Sequence, residues 1–297
     1  MATNTLNGVN LTKISQVSLD VLTTEGVPLS AFTTDFSDDA LPKGETITTR
    51  FATVPSTQDF DSSKATSNSA TTARSVTLDD YRGVSIGFKD TEITYSPVQL
   101  ADLFVRPAIS ALCDYVINAA LTNVTNANGF TDVQTTAAGA FDADVVADLA
   151  EGLSTRKVPK GNRTLLIKPT YMAALAKDNQ VTAASDGPAG VDPIRNHALP
   201  RIHGFNVLEY NGTIPANSEN MEGLACGQQG LIIAARQVVE PPSNTWYGNV
   251  ENITDPSTGL PIQIREYYDG TELRYEFSIL FGTAVGIADY VTRIASA

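Results

Sequence analysis

The chain has 297 residues, and its 42% hydrophobic content is enough to build a core in one large domain or two smaller ones. Its 33 acidic residues against 20 Lys and Arg give a net charge of -13. This charge disfavours tight non-specific binding to nucleic acid, which relies on cationic contacts with phosphate. Since neither a long apolar run nor a secretory signal is present, we expect no membrane partner.

The first forty residues predict a short helix within an N-terminal arm. Leu11, Ile14, Val21 and Leu22 recur near helical spacing, and the pattern stops at Gly26. This part of the chain carries no motif for catalysis or binding.

Two segments, 45–54 and 76–88, are rich in Thr and β-branched residues and alternate between apolar and polar types. Each predicts a strand. The residues between them are small and polar and cannot bury themselves, so the pair predicts a long hairpin. Its tip is either mobile or held by a partner.

The second strand contains a match to the G-x-S-x-G pattern of some hydrolases, centred on Ser85. That pattern presents a nucleophile only on a strand-to-helix turn, whereas Ser85 lies inside an alternating strand that no helical pattern follows. The only imidazole bases, His197 and His203, lie in a region rich in Pro and Gly. A serine hydrolase acting through Ser85 is therefore the remote alternative.

The longest predicted helix follows Pro97, and an apolar face repeats along it at steps of four, three, four and four residues. We expect Pro107 to mark the first turn of the main segment, with a shorter helix or a kink ahead of it. The residues of the apolar face are Val105, Ile109, Leu112, Val116 and Ala120.

The second half of the chain predicts a mixture of helices and strands. Asp142 is the expected N-cap of one helix, and Pro169 is expected in the first turn of another. Asp269-Gly270 lies between two long β-prone runs and predicts a hairpin. The remaining strand candidates are 163–169, 204–211, 230–236 and 283–294.

No constellation of side chains indicates catalysis, a cofactor or a metal. The acidic groups Asp35, Asp38 and Asp39, and the pair Asp79 and Asp80, lack the pattern of a calcium loop and are expected to be solvated. Cys113 and Cys226 lie outside any C-x-x-C spacing and are expected to be buried free thiols, and Arg201 with His203 is expected to form ordinary hydrogen bonds. We therefore predict no enzyme activity, no cofactor and no catalytic, cofactor-binding or metal-binding residue.

The order of these elements resembles that of the major capsid proteins of tailed bacteriophages, the shell fold named after phage Hong Kong 97. Segments 42–55 and 79–96 resemble the two arms of its extended loop, and 107–124 resembles its spine helix. Segments 141–178 and 199–215 resemble the axial domain, and 259–294 resembles the return to the peripheral domain.

The resemblance implies an α+β fold with five parts. They are an N-terminal arm (1–40), an extended β-hairpin loop (41–92), a peripheral domain with the spine helix (93–135), an axial domain (136–240), and a peripheral return with a β-hairpin and the last strand (241–297). Because only about forty residues precede the expected loop, we expect scaffolding, if used, to come from a separate protein.

The resemblance also implies a structural protein of the virion, assembled in the host cytoplasm. Its partners would be further copies of itself, in pentamers and hexamers of an icosahedral head, together with a portal. The head would enclose double-stranded DNA without sequence-specific binding. An encapsulin-like nanocompartment shell protein of the same fold is the alternative, and Lys64 at the expected loop tip invites comparison with relatives that join subunits by Lys–Asn isopeptide bonds.

Overall fold

The computed structural model of the chain describes residues 11–52, 71–89, 97–178, 180–181, 199, 201–239, 249–270 and 272–297. Within these residues the fold is α+β, as the sequence predicts. The helices are α1 (Leu11–Glu25), α2 (Pro97–Thr122), α3 (Ala143–Thr155) and α4 (Pro169–Ala176). The strands are β1 (Thr33–Leu41), β2 (Thr46–Ala52), β3 (Thr71–Thr77), β4 (Asp80–Lys89), β5 (Val133–Thr135), β6 (Arg163–Ile167), β7 (Phe205–Glu209), β8 (Met221–Gly227), β9 (Leu231–Val238), β10 (Asn249–Thr254), β11 (Pro261–Asp269), β12 (Glu272–Val285) and β13 (Val291–Ala295).

The larger sheet is organised around β12, a strand of 14 residues. β12 pairs antiparallel with β4, β9 and β11, while β1 joins β9 in parallel and β10 joins β11 antiparallel. The turn between β11 and β12 confirms the hairpin predicted at Asp269-Gly270. Gly270 has a φ of +67°, the left-handed conformation that glycine adopts without steric cost.

Helix α2 supplies the core that covers this sheet. Its predicted apolar face is confirmed, because none of the five residues exceeds 3% exposure, and they join one cluster with Phe277 and Ile279 of β12. Leu103–Thr122 is long and apolar enough to meet the usual criteria for a membrane span. Here its apolar face packs into the core of the same chain.

Helical residues lie ahead of Pro107, as expected, but they form one helix with the main segment, because α2 runs from Pro97 to Thr122 with Pro107 inside it. Pro97 occupies the first turn, where a missing N–H costs no helical hydrogen bond. Pro107 forgoes the bond to the carbonyl of Leu103, but the buried side chains of Val105 and Ile109 flank it on the core side. Tertiary burial therefore carries the helix through the proline.

The predicted N-terminal helix is confirmed as α1, and it packs against α2. Ile14, Val21 and Leu22 are buried in the core that α2 shares with the larger sheet. An exposed ion pair joins Arg106 to Asp20, with 3.0 Å between nitrogen and oxygen. The described part of the expected arm thus packs on its own subunit rather than extending away from it.

The smaller sheet has the strand order β5-β13-β8-β6-β7 and forms a second core with α3 and α4. Strand β6, which lies between β8 and β7, is buried along its whole length. The Asp142 side chain caps α3 by accepting a hydrogen bond from the Val145 amide at 3.1 Å, and Pro169 opens α4, as predicted. Since β5 and β13 lie outside residues 136–240, the segment expected to form the axial domain does not make this sheet alone.

A third, two-stranded sheet is formed by β2 and β3, which pair over seven residues from Thr46↔Thr77 to Ala52↔Thr71. The strand predicted at 45–54 is confirmed, but the single strand predicted at 76–88 is wrong. β3 ends at Thr77, and β4 pairs with β12 in the larger sheet. The break follows from Leu78, which is fully buried and whose backbone bonds to Gly44 and Glu45 close the root of the hairpin.

Candidate assembly surface

Ser85 lies in the middle of β4 and is exposed to solvent. It pairs in register with Glu276, within an uninterrupted ladder of ten residue pairs between β4 and β12. The first glycine of the G-x-S-x-G match is explained by packing, because a Cβ at Gly83 would lie 2.7 Å from the carbonyl oxygen of Phe277. The prediction that Ser85 lies within a strand, and not on a strand-to-helix turn, is confirmed.

Arg201 and His203 belong to a tight turn that leads into β7. His203 and Gly204 have positive φ values of 47° and 89°, and Ile202 bridges to Phe205 across them. Arg201 donates a hydrogen bond to the Gly161 carbonyl at 2.9 Å. These residues shape the backbone here, while His197 lies outside the described residues.

The acidic groups considered in the sequence do not converge. Asp35 forms an ion pair with Arg236 at 2.7 Å, which ties β1 to β9. Asp80 accepts hydrogen bonds from Arg82 at 2.8 Å and from the Tyr115 hydroxyl at 3.0 Å. Among the residues that the structure describes, no cluster of three or more potential ligands is arranged to hold a metal ion.

Both cysteines are buried free thiols, as predicted. Burial is the main cause that raises the pKa of Cys113 to about 12, and burial alone raises the pKa of Cys226 to about 12. Because the thiolate is the reactive form, burial and the raised pKa both lower the reactivity of these thiols at neutral pH.

The described part of the β2–β3 hairpin packs on the larger sheet through its inner face, and it is most deeply buried at its root. Val76 and Leu78 are at most 1% exposed and pack with Ile232, Ala234 and Leu280 of the larger sheet. The backbone of β3 lies close to β12 there, because a Cβ at Gly282 would lie 2.1 Å from the Thr77 carbonyl oxygen.

Gly282 and the root residues were not predicted as functional from the sequence. An isolated glycine within a β-prone run is the signal that marks such a close approach.

The outer face of the hairpin is polar and exposed. Side chains alternate across a strand, so Thr46, Thr48 and Arg50 share this face with their partners Thr77, Ser75 and Ala73. All six are exposed. Their hydroxyls approach across the strands, with 3.3 Å between Thr46 and Thr77 and 3.5 Å between Thr48 and Ser75. The result is a polar ribbon about 24 Å long whose outer face no described element covers.

No family model matches the chain, and no curated protein matches it. Solved structures share its fold. The capsid of cyanophage P-SCSP1u is 13% identical with a TM-score of 0.57, and the mature capsid of bacteriophage PhiM1 is 10% identical with a TM-score of 0.56; each match covers 90% of this chain and 86% of that chain. A virus-like particle from Pyrococcus furiosus is 10% identical, with a TM-score of 0.52 over 96% of this chain and 98% of that chain.

These matches span nearly the whole chain, so they concern its complete architecture and not one common motif. The chain has the fold of phage major capsid proteins, and the resemblance drawn from the order of its elements is confirmed at the level of fold.

Proposed function

We propose that this chain is the major capsid protein of a tailed bacteriophage, a structural protein without enzymatic activity. It assembles into pentamers and hexamers of an icosahedral head that encloses double-stranded DNA. The observation that carries the proposal is the shared fold with two phage capsids over 90% of the chain. The place of Ser85 within a strand supports a structural role over hydrolysis.

The parts of the fold take the roles that the Hong Kong 97 architecture assigns to them. Residues 41–92 include the extended loop, of which β2 and β3 form the described hairpin, and α2 is the spine helix of the peripheral domain (93–135). Strands β6, β7 and β8 of the smaller sheet, with α3 and α4, belong to the axial domain (136–240), and residues 241–297 return to the peripheral domain but add β13 to the smaller sheet. Residues 1–40 are the N-terminal arm, whose helix α1 packs on α2 of the same chain.

The hairpin is the inter-subunit element of this proposal. Its exposed polar outer face suits a ribbon that lies on another subunit, because an isolated two-stranded hairpin is only marginally stable in water and gains stability from a second surface. An acidic subunit also suits a container for DNA, since a shell that bound phosphate strongly would hinder packaging and release. A portal and a separate scaffolding protein are the further partners we propose, with assembly in the host cytoplasm.

Electron microscopy of the overexpressed, purified chain tests this proposal. We expect closed icosahedral shells. A protein that stays monomeric at all concentrations and salt levels, with scaffolding protein supplied, would contradict it. The role of the hairpin is tested by replacing residues 53–70, which lie outside the described residues, with a short Gly-containing turn. That variant should fold but form only small species in sedimentation.

A nanocompartment shell is the second candidate, and one observation favours it. The virus-like particle from Pyrococcus furiosus matches this chain over 98% of its own length. Particles isolated from the native source separate the two candidates. Packaged DNA and a portal support a phage head, whereas particles free of DNA that contain a co-purifying enzyme support a nanocompartment.

A further inference from the structure

The hairpin carries two arginines that have no partner in the described part of the chain. Arg50 and Arg74 are both exposed and form neither a hydrogen bond nor an ion pair there. Every other described arginine has at least one such contact. These residues are Arg82, Arg106, Arg156, Arg163, Arg201, Arg236, Arg265, Arg274 and Arg293.

Arg50 and Arg74 lie in neighbouring residue pairs of the hairpin but on its opposite faces. Arg50 pairs with Ala73 on the outer face, and Arg74 pairs with Thr49 on the face that carries Val76. Neighbouring residue pairs are about 3.4 Å apart along the strand, so the two side chains differ little in their position along the hairpin. The hairpin therefore directs one guanidinium to each side, and a single flat surface cannot contact both.

The charge of this segment is opposite to that of the rest of the protein. Residues 42–77 contain four Lys and Arg (43, 50, 64, 74) and three Asp and Glu (45, 59, 61), a net charge of +1. The total of -13 then leaves -14 on the remaining residues. The hairpin is thus a slightly positive element on a strongly acidic protein, and further copies of the same chain offer it many carboxylates.

We propose that Arg50 and Arg74 bind exposed carboxylates of neighbouring copies of this chain, one on each face of the hairpin. This inference rests on the proposed shell function and names the side chains that hold the hairpin in place. Arginine suits the role because its planar guanidinium binds a carboxylate through two parallel hydrogen bonds. Nucleic acid is a poorer occupant, because its phosphates would meet one face of the hairpin and would be repelled by the acidic remainder of the subunit.

Matched charge reversals test the inference in the full chain after nuclease treatment. Arg50→Glu with Arg74→Glu is compared with Lys160→Glu and Lys177→Glu, two exposed lysines outside the hairpin. Both double variants change the net charge by the same amount, from -13 to -17. We expect the arginine variant to assemble at least tenfold more slowly than wild type at 0.1 M salt by light scattering, and the lysine variant to stay within about twofold of wild type.

Equal slowing of both variants, or normal assembly of the arginine variant, would overturn the inference while leaving the shell function intact. Failure of the wild type to form shells would instead reject the proposed function. Circular dichroism checks that each variant is folded, and Arg50→Gln with Arg74→Gln replaces the reversal if it is not. If nuclease-treated wild type assembles only when a short DNA duplex is added, and the glutamine variant no longer retards that duplex in a gel, the arginines bind nucleic acid and the inference is wrong.

Discussion

Gly282→Ala should push the hairpin off the sheet that anchors it. Gly282 lies in β12 opposite Ala234 of β9, directly beneath the end of β3. An added methyl carbon would lie 2.1 Å from the Thr77 carbonyl oxygen and 3.1 Å from Val76 Cγ1. Since non-bonded atoms are comfortable at about 3.5 Å, the backbone of β3 has to move by more than about 1 Å.

The expected cost is that of an overpacked core, about 1–3 kcal/mol of the free energy of unfolding. This is a substantial part of the roughly 5–15 kcal/mol that stabilises a typical domain. Gly152→Ala is the matched control, because a methyl at Gly152 meets no atom within 4 Å and lies in the interior of α3. Replacing a helical glycine by alanine should stabilise by about 0.5–1 kcal/mol, so the two substitutions differ in sign.

Urea unfolding of the unassembled subunit, followed by circular dichroism, measures both effects. Hydrogen exchange of β2 and β3 amides reports the displacement directly, and light scattering reports shell formation. We expect Gly282→Ala to accelerate exchange in the hairpin and to slow assembly, while Gly152→Ala does neither. If Gly282→Ala is as stable as wild type with unchanged exchange in β2 and β3, the hairpin is not seated on β12 as described.

Three further substitutions test the core, the pH response and the enzyme alternative. Arg163→Met should lower the free energy of unfolding in urea by about 2–4 kcal/mol, because Arg163 is only 2% exposed and its guanidinium donates hydrogen bonds to several backbone oxygens. Arg201→Met is the control, since it loses one exposed hydrogen bond and should cost less than about 1 kcal/mol. Desolvation raises the pKa of the Asp255 carboxyl, but hydrogen bonds from nearby hydroxyl and amide groups outweigh it and leave the pKa lowered. The ionised Asp255 carboxylate therefore stabilises the fold fully above the unfolded pKa of about 3.9, and this contribution is lost as the pH falls through the folded pKa. The free energy of unfolding of wild type should fall more steeply on acidification than that of Asp255→Asn. Equal dependence of the two free energies on pH would contradict this. Ser85→Ala should leave stability and assembly unchanged, and labelling of Ser85 by a fluorophosphonate probe would disprove that.

Features of the fold that depend on local pattern could be predicted from the sequence. The apolar stripe on α2, from Val105 to Ala120, repeats at helical spacing, and every member is buried. Asp142 and Asp269-Gly270 mark a helix start and a hairpin turn through the conformations that these residue types favour. Each of these signals acts within a few residues of its own position.

Features that depend on distant partners could not be predicted. The run 76–88 alternates as one strand would, yet Leu78 is drawn into the small core beneath the hairpin and divides it. The last strand, β13, lies between β5 and β8 in the smaller sheet. Both partners are far from β13 in the sequence, so no local pattern could indicate this pairing. The sequence predicted the candidate assembly surface only as a polar tip. Arg50 and Arg74 stand out only in the structure, where every other described arginine has a hydrogen-bond or ion-pair partner.

The hairpin combines a buried root on its own sheet with an outer face that resists unspecific pairing. Both outer edges of the β2–β3 ribbon lack a partner among the described strands, and such edges promote aggregation when they are apolar. Here the exposed face consists of threonine and serine hydroxyls with a charged arginine, so there is little apolar area to drive association by burial alone. Association must then depend on polar contacts with a complementary surface, and the strongest polar groups on the hairpin are the guanidiniums of Arg50 and Arg74. If neighbouring copies supply the carboxylates, as proposed above, both faces of the hairpin are satisfied only when an acidic surface lies on each side of it.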